Sequence, residues 1–143
     1  MRIIVGVSGA SGVYMSYKLL KILREETEYD IHLVVSEAAE KTWILETDMD
    51  ISELYSLAHT VYSPDDMAAA ISSGSFKTGG MIILPCSMKT LAGIVSGYTE
   101  NLILRAADVC LKENPTIRYA KKLSHDDCIR KLTGGEDSGK TMD

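Results

Sequence analysis

The sequence is short of the residue types that mark several functional classes. Its three cysteines, Cys86, Cys110 and Cys128, form no CxxC pair and are odd in number, which argues against a disulfide framework or a zinc knuckle. Three scattered histidines, His32, His59 and His125, make no metal constellation with other ligand types, so no metal is expected. Basic residues are not in excess: 15 Lys and Arg against 20 Asp and Glu leave a net charge of −5, with no footprint for nucleic acid or an anionic membrane. No apolar run approaches the roughly 18 to 20 residues of a bilayer span. The opening Met1-Arg2-Ile3-Ile4-Val5-Gly6 enters a strand pattern directly, without the layout of a signal peptide. A cytoplasmic location is therefore expected, and any anionic ligand must be held by local groups. What remains is a chain of 143 residues, 45% hydrophobic, the size of one domain with one core.

Arg2 to Val7 is a β-branched run that ends in Gly6-Val7-Ser8-Gly9-Ala10-Ser11-Gly12, after which Val13, Tyr17, Leu20 and Leu23 recur at helical spacing. Ile31 to Val35 repeats the buried-strand pattern and leads through Ser36 into a helix from Glu37 to Glu46, with Ala38, Ala39, Thr42 and Leu45 expected inward. Weaker signals follow: a short helix from Ile51 to Ala58, a small strand at Thr60 to Tyr62, a helical Asp65 to Ile71 and the loop Ser72 to Phe76. Met81-Ile82-Ile83-Leu84 is the strongest buried strand, and Pro85-Cys86-Ser87 ends it before a helical run from Met88 to Val95. Asn101 opens a last clear helix to Glu113, with Leu102, Ala106, Val109 and Cys110 on its inner face. Alternation of this kind predicts a parallel sheet with helices on both faces, whose ligand lies outside the carboxyl ends of the strands.

After Asn114 the pattern changes, because Pro115 breaks the helix and only eight of the last 30 residues are apolar. No strand is expected there. Ser124 to Leu132 reads as a short capped helix, and the glycine-rich segment from Gly134 to Asp143 as frayed.

The turn from Gly6 to Gly12 offers backbone N–H groups at a helix start, which suits a phosphate through hydrogen bonding and the helix dipole. Ser8 stands where a dinucleotide fingerprint has its second glycine, which favours a monophosphate. The same glycines equally serve a plain tight turn. Ser36 and Ser87 each follow a strand at the same sheet edge, and each is either a helix cap or a ligand contact. Arg105 and Lys112 are two helical turns apart, so both project from one stripe with Asp108 between them. Two cations on a stripe suit a phosphate, although a solvated face of Arg105, Asp108 and Lys112 is the plainer account. Glu46, at a helix end, is a candidate general acid or base, or an ordinary surface acid.

Taken together, Gly6-Val7-Ser8-Gly9-Ala10-Ser11-Gly12, Val35-Ser36 with Ala38-Ala39 and Glu46, Ile71 to Phe76, Leu84-Pro85-Cys86-Ser87-Met88-Lys89-Thr90 to Ile94, and Asn101 to Val109 with Leu111-Lys112-Glu113 resemble the UbiX-like flavin prenyltransferases. The Ser-Met-Lys-Thr form is similar to the branch that accompanies phenolic and hydroxyarylic acid decarboxylases. The resemblance covers residues 1–113. It implies a flavodoxin-like (Rossmann-like) doubly wound parallel sheet in three α/β/α layers, binding FMN at subunit contacts of a homo-oligomer, a dodecamer in the family. It also implies transfer of a dimethylallyl group from dimethylallyl monophosphate to N5 and C6 of reduced FMN without a metal, the product serving a partner decarboxylase. By position, Gly9, Ala10 and Ser11 match the first FMN loop, Ser36 the second contact, and Ser87, Met88, Lys89 and Thr90 the third. Ser11 and Glu46 match residues near the reacting flavin edge and the prenyl donor. Arg105 and Lys112 match cations directed at the donor phosphate, where fixed positive charge in a water-poor pocket assists a departing phosphate.

The resemblance ends at Glu113. A further strand with a Pro-Arg-Glu motif, and a later tyrosine and basic residue that hold FMN and the donor, have no counterpart, so the sheet is expected to lack an inner strand and expose an edge. Residues 1–113 then form an incomplete FMN-binding flavoprotein domain, and 114–143 a divergent, partly disordered tail of a truncated or frameshifted copy. Two alternatives stand beside the enzyme. One is an FMN-binding remnant or non-catalytic subunit associated with a hydroxyarylic acid decarboxylase. The other is a cysteine-decarboxylating flavoprotein, disfavoured because its catalytic histidine has no match.

Overall fold

Alternation of side chains along two strands sets the layers. In the computed structural model, which describes residues 1–113 and, beyond them, the strands Thr116–Tyr119 and Lys140–Thr141, the chain runs β1 (Arg2–Val7), α1 (Tyr14–Glu26), β2 (Asp30–Val35), α2 (Glu37–Glu46), α3 (Ile51–Tyr55) and β3 (Thr60–Tyr62). It continues through a 3-10 turn at Ala70–Ser72 to β4 (Gly80–Ile83), α4 (Met88–Ser96), α5 (Leu102–Glu113), β5 (Thr116–Tyr119) and β6 (Lys140–Thr141). Val5 and Val7 of β1 join Ile31, Leu33 and Val35 of β2 in a core with Leu19, Leu20 and Leu23 of α1 and Trp43 of α2. Ile4 and Val34 point the other way, into a core built with Met81, Ile83, Ile94 and the inner face of α5. Period-two burial on the strands therefore places helices on both faces, the three-layer α/β/α arrangement expected of a doubly wound sheet.

The strand order is β3-β2-β1-β4-β5-β6. β1 pairs in parallel with β2 from Arg2–Asp30 to Val7–Val35 and with β4 from Ile4–Met81 to Gly6–Ile83, while β5 and β6 pair antiparallel. Without the three-residue β3, the parallel strands follow the flavodoxin order, and with it the Rossmann order. Either way the chain reverses direction across the sheet between β1 and β4.

Three expectations need correction. A strand does follow α5: Thr116–Tyr119 pairs in parallel with Gly80–Ile83, so the edge of β4 is covered, although by a segment without the Pro-Arg-Glu motif. α5 stops at Glu113, and the four residues Thr-Ile-Arg-Tyr at 116–119 are too short to carry a period yet rich in strand-favouring types. Asp65 to Ile71 is not a helix but a series of turns closing in the 3-10 turn, in which Asp66 and Ser63 accept backbone N–H groups. On α2, Ala39 and Trp43 face inward, whereas Leu45 is 84% exposed. The Trp43 indole donates to the Met49 carbonyl at 2.7 Å and so fixes the helix rotation. The helix expected at Ser124 to Leu132 lies outside the described residues.

Candidate functional site

Reversal between β1 and β4 opens a crevice at their carboxyl ends, and there the loops after β1, β2 and β4 meet. They border a cleft of about 240 Å³ lined by Ser8, Gly9, Ser36, Ser87, Thr90 and Leu104 among others. A hollow of similar size lies at the opposite end of the sheet, between Phe76, Lys77, Cys110 and Glu113, and shares no residue with these loops.

Serines hold the loops. Ser8, 2% exposed, donates its hydroxyl to the Pro85 carbonyl at 2.8 Å and accepts from the Ser87 N–H at 2.7 Å, while its own N–H also reaches the Pro85 carbonyl at 3.2 Å. Ser36 caps α2 by accepting the Ala39 N–H at 3.0 Å, and Ser87 caps α4 by accepting the Thr90 N–H at 3.1 Å. Ser87 also donates to the Thr90 hydroxyl at 2.9 Å. Gly9 is required by close approach, because a Cβ there would stand 2.4 Å from the Ala38 Cβ and 2.9 Å from the Ala38 carbonyl carbon. The Gly9 and Ser11 N–H groups have no partner among the described residues. The N–H groups of Met88 and Lys89, in the first turn of α4, lack intrahelical acceptors by geometry. Such a ring of N–H and hydroxyl donors at helix starts is an anion cradle.

Beside the cradle, Glu46 at the end of α2 accepts the Ser11 hydroxyl at 3.1 Å and the Gly12 N–H at 3.0 Å, using both carboxylate oxygens. Gly12 has φ +95°, a left-handed conformation that favours glycine, and so aims its N–H at that carboxylate. Two residues 35 positions apart are thus joined at the start of α1.

The structure gathers Gly9, Ser36, Ser87, Lys89 and Thr90 at one cleft. Ala10 and Ser11 continue the first loop, and Met88 is exposed in the first turn of α4. Arg105 and Lys112 do not line this cleft. Both are exposed on α5, and Lys112 pairs with Asp108 at 2.9 Å. Sequence reasoning missed Ser8 as a contact between loops, as well as Tyr98, Glu100 and Asn101 on the cleft wall. The signal for Ser8 was present, since a small hydroxyl between Val7 and Gly9 ends a buried strand. At the rim the Tyr98 hydroxyl donates to Glu100 at 2.9 Å, with the Lys89 ammonium 3.9 Å from the same carboxylate. Cys86 adjoins the cleft wall but is 2% exposed, and burial pushes its thiol up to about 11, so it remains protonated and shielded at neutral pH. Among the described residues, no group of His, Cys, Asp and Glu is arranged to hold a metal, and no helix is long and apolar enough to cross a membrane.

The flavoprotein family profile matches residues 1–120. The chain is 60% identical over 114 residues to a probable UbiX-like flavin prenyltransferase of Sedimentibacter hydroxybenzoicus, covering 80% of this chain and 60% of that protein. Among solved structures it is similar to a dodecameric FMN-dependent UbiX-like decarboxylase from Escherichia coli O157:H7, with TM-score 0.83 and 45% identity, covering 93% of this chain and 75% of the other. It is also similar to AnUbiX in complex with FMN and dimethylallyl pyrophosphate, with TM-score 0.81 and 44% identity over 92% of this chain and 72% of that one. The chain belongs to the flavoprotein family and, within it, to the UbiX-like group. It spans about 60% of the length of the curated relatives it matches.

Proposed function

We propose that this chain is a flavin prenyltransferase, which binds reduced FMN and transfers to it a dimethylallyl group from dimethylallyl monophosphate. The observation that carries this reading is the convergence of three loops, with N–H groups at Gly9 and Ser11 left without partners, on one cleft at the β1–β4 reversal. Such a cleft fits a phosphate-bearing ligand: Ser36, Ser87 and Thr90 would supply hydroxyls, and Gly9, Ala10, Ser11, Met88 and Lys89 would supply the loop walls and backbone donors. Reduced FMN, when bound, supplies the nucleophilic ring atoms that accept the prenyl group. The Ser11 hydroxyl donates to the Glu46 carboxylate at 3.1 Å, a pair suited to moving a proton at the edge of the reacting group. Arg105 and Lys112 would stabilise the departing phosphate.

About 240 Å³ is small against the roughly 300–1,000 Å³ of pockets that enclose ligands of this size. One chain therefore supplies part of a wall, and an exposed Arg105–Lys112 stripe outside its own cleft would serve a site completed by another copy. In this reading the protein is a cytoplasmic homo-oligomer, a dodecamer like its relative, serving a prenylated-FMN-dependent decarboxylase, with no nucleic-acid or membrane partner. Residues 1–113 carry the FMN-binding domain, and 114–143 are a divergent segment that adds β5 and β6 to the sheet.

A second reading, an FMN-binding remnant or non-catalytic subunit, draws on the position of Arg105 and Lys112 outside the cleft. The test is a flavin titration of the purified chain, followed by fluorescence and elution size, then an anaerobic assay with dimethylallyl monophosphate. Saturable binding in an oligomer with a prenylated product is expected. Binding without product supports the remnant, and no binding overturns both.

A further inference from the structure

We propose that Ser8 is a positioning residue: it locks the loop after β1 to the loop after β4 and so sets the direction of the hydroxyls that line the cleft. The inference rests on the flavin-binding reading and concerns a residue that touches the site through others. Its hydroxyl is fully committed, receiving the Ser87 N–H at 2.7 Å and giving its proton to the Pro85 carbonyl at 2.8 Å. The Ser8 N–H shares that carbonyl, so three bonds join the two loops at the point where strand order reverses. Main-chain pairing of the two segments reaches this point with the Leu84 N–H donating to the Gly6 carbonyl at 2.9 Å, and the Ser8 hydroxyl adds the only side-chain bonds between them among the described residues.

The consequence passes along a directed chain. Ser87, anchored through its N–H, offers its hydroxyl oxygen to the Thr90 N–H and its hydroxyl proton to the Thr90 oxygen at 2.9 Å. With that oxygen accepting from Ser87, the Thr90 proton is left to donate outward, and Thr90 lines the cleft. Ser8 thereby decides which groups at the third loop act as donors toward a ligand. Alanine at position 8 keeps the backbone and most of the volume but removes both hydroxyl bonds, leaving the Ser87 N–H without its partner.

The experiment compares the full chain with Ser8→Ala, Ser8→Thr and Ser16→Ala. Ser16 is the control, a buried serine whose hydroxyl, among the described residues, bonds only the Val13 carbonyl three residues back. Each is read by FMN titration, by visible circular dichroism of bound flavin at saturation, by thermal unfolding, and by exchange of the Ser87 amide without ligand. Ser8→Ala is expected to lose Ser87 amide protection, to bind FMN about tenfold or more weakly, and to change the bound-flavin spectrum. Ser16→Ala should lower the melting temperature without those effects, and Ser8→Thr, which restores the hydroxyl, should recover affinity and spectrum. Wild-type affinity and spectrum in Ser8→Ala, or equal losses in Ser8→Ala and Ser16→Ala, would overturn the proposal, as would an unprotected Ser87 amide in the parent chain. A protected Ser87 amide in a parent chain that binds no FMN supports the lock and overturns the flavin reading instead.

Discussion

The two ends of the sheet are finished in opposite ways. At the carboxyl end, β1, β2 and β4 run into loops of glycine and serine whose side chains bond back to the protein, and backbone N–H groups face a cleft. At the amino end, beside the hollow lined by Phe76 and Glu113, side chains bond to one another. His32, 6% exposed, bonds Tyr62 at 2.9 Å and Asp30 at 3.0 Å, meets the Phe76 ring edge-on at 5.0 Å, and Arg2 lies 4.3 Å over that same ring. Nearby, His59 accepts the Ile31 N–H at 2.9 Å, and its other ring nitrogen lies 3.2 Å from Arg24. One end leaves hydrogen-bonding capacity open and the other consumes it, so ligand binding and stability are separable by position.

The largest effect that would break this contrast is at Gly9. Replacement Gly9→Val would press against the α2 backbone, and the expected outcome is a loss of FMN affinity beyond about 100-fold with a destabilisation of ~1–3 kcal/mol. Flavin titration and thermal unfolding measure the two, and undiminished binding would show that α2 yields. Next, His32→Ala should cost ~1–3 kcal/mol in urea unfolding through lost packing and hydrogen bonds, with FMN affinity unchanged. A parallel fall in affinity would mean that the ends are coupled.

Strong acid should act on the closed end. The hydrogen bond from His32 holds the Asp30 carboxyl below its ordinary value, with burial opposing and the charges of His32, His59 and Arg2 assisting. Because the folded-state value is depressed, this contribution is complete above the unfolded value near pH ~3.9 and is lost as pH falls through the folded one. Asp30→Asn is therefore expected to flatten the acid limb of a stability–pH curve, and an unchanged limb would place the effect elsewhere. The smallest effect on stability belongs to Lys112→Ala, within about 0.5 kcal/mol because its pair with Asp108 is a surface one. The same variant should lower prenyl transfer, and full activity would remove Lys112 from the site.

Local signals revealed the layers and the three loops, because β-branched runs and helical spacing are written within a few residues of each element. The loss of Leu45 to solvent was not legible, since Trp43, two positions away, anchors α2 through a bond to Met49. Nor was β5, where four residues after Pro115 carry too little pattern to be told from a loop. Within the site, Ser11, Ser36 and Ser87 were visible as residues after strands, whereas pairings such as Ser8–Ser87 and His32–Tyr62 join positions 79 and 30 apart and leave no periodic trace.

The sheet's edges limit what can add to it. Among the described residues, with β4 covered by β5, the ladder ends in a strand of three residues on one side and two on the other. Edges so brief give an incoming strand almost no template, which protects against runaway fibre-like stacking. The exposed apolar side chains Ile44, Leu45 and Val95 sit instead on the helices, where fit of shape rather than a strand ladder would govern any contact.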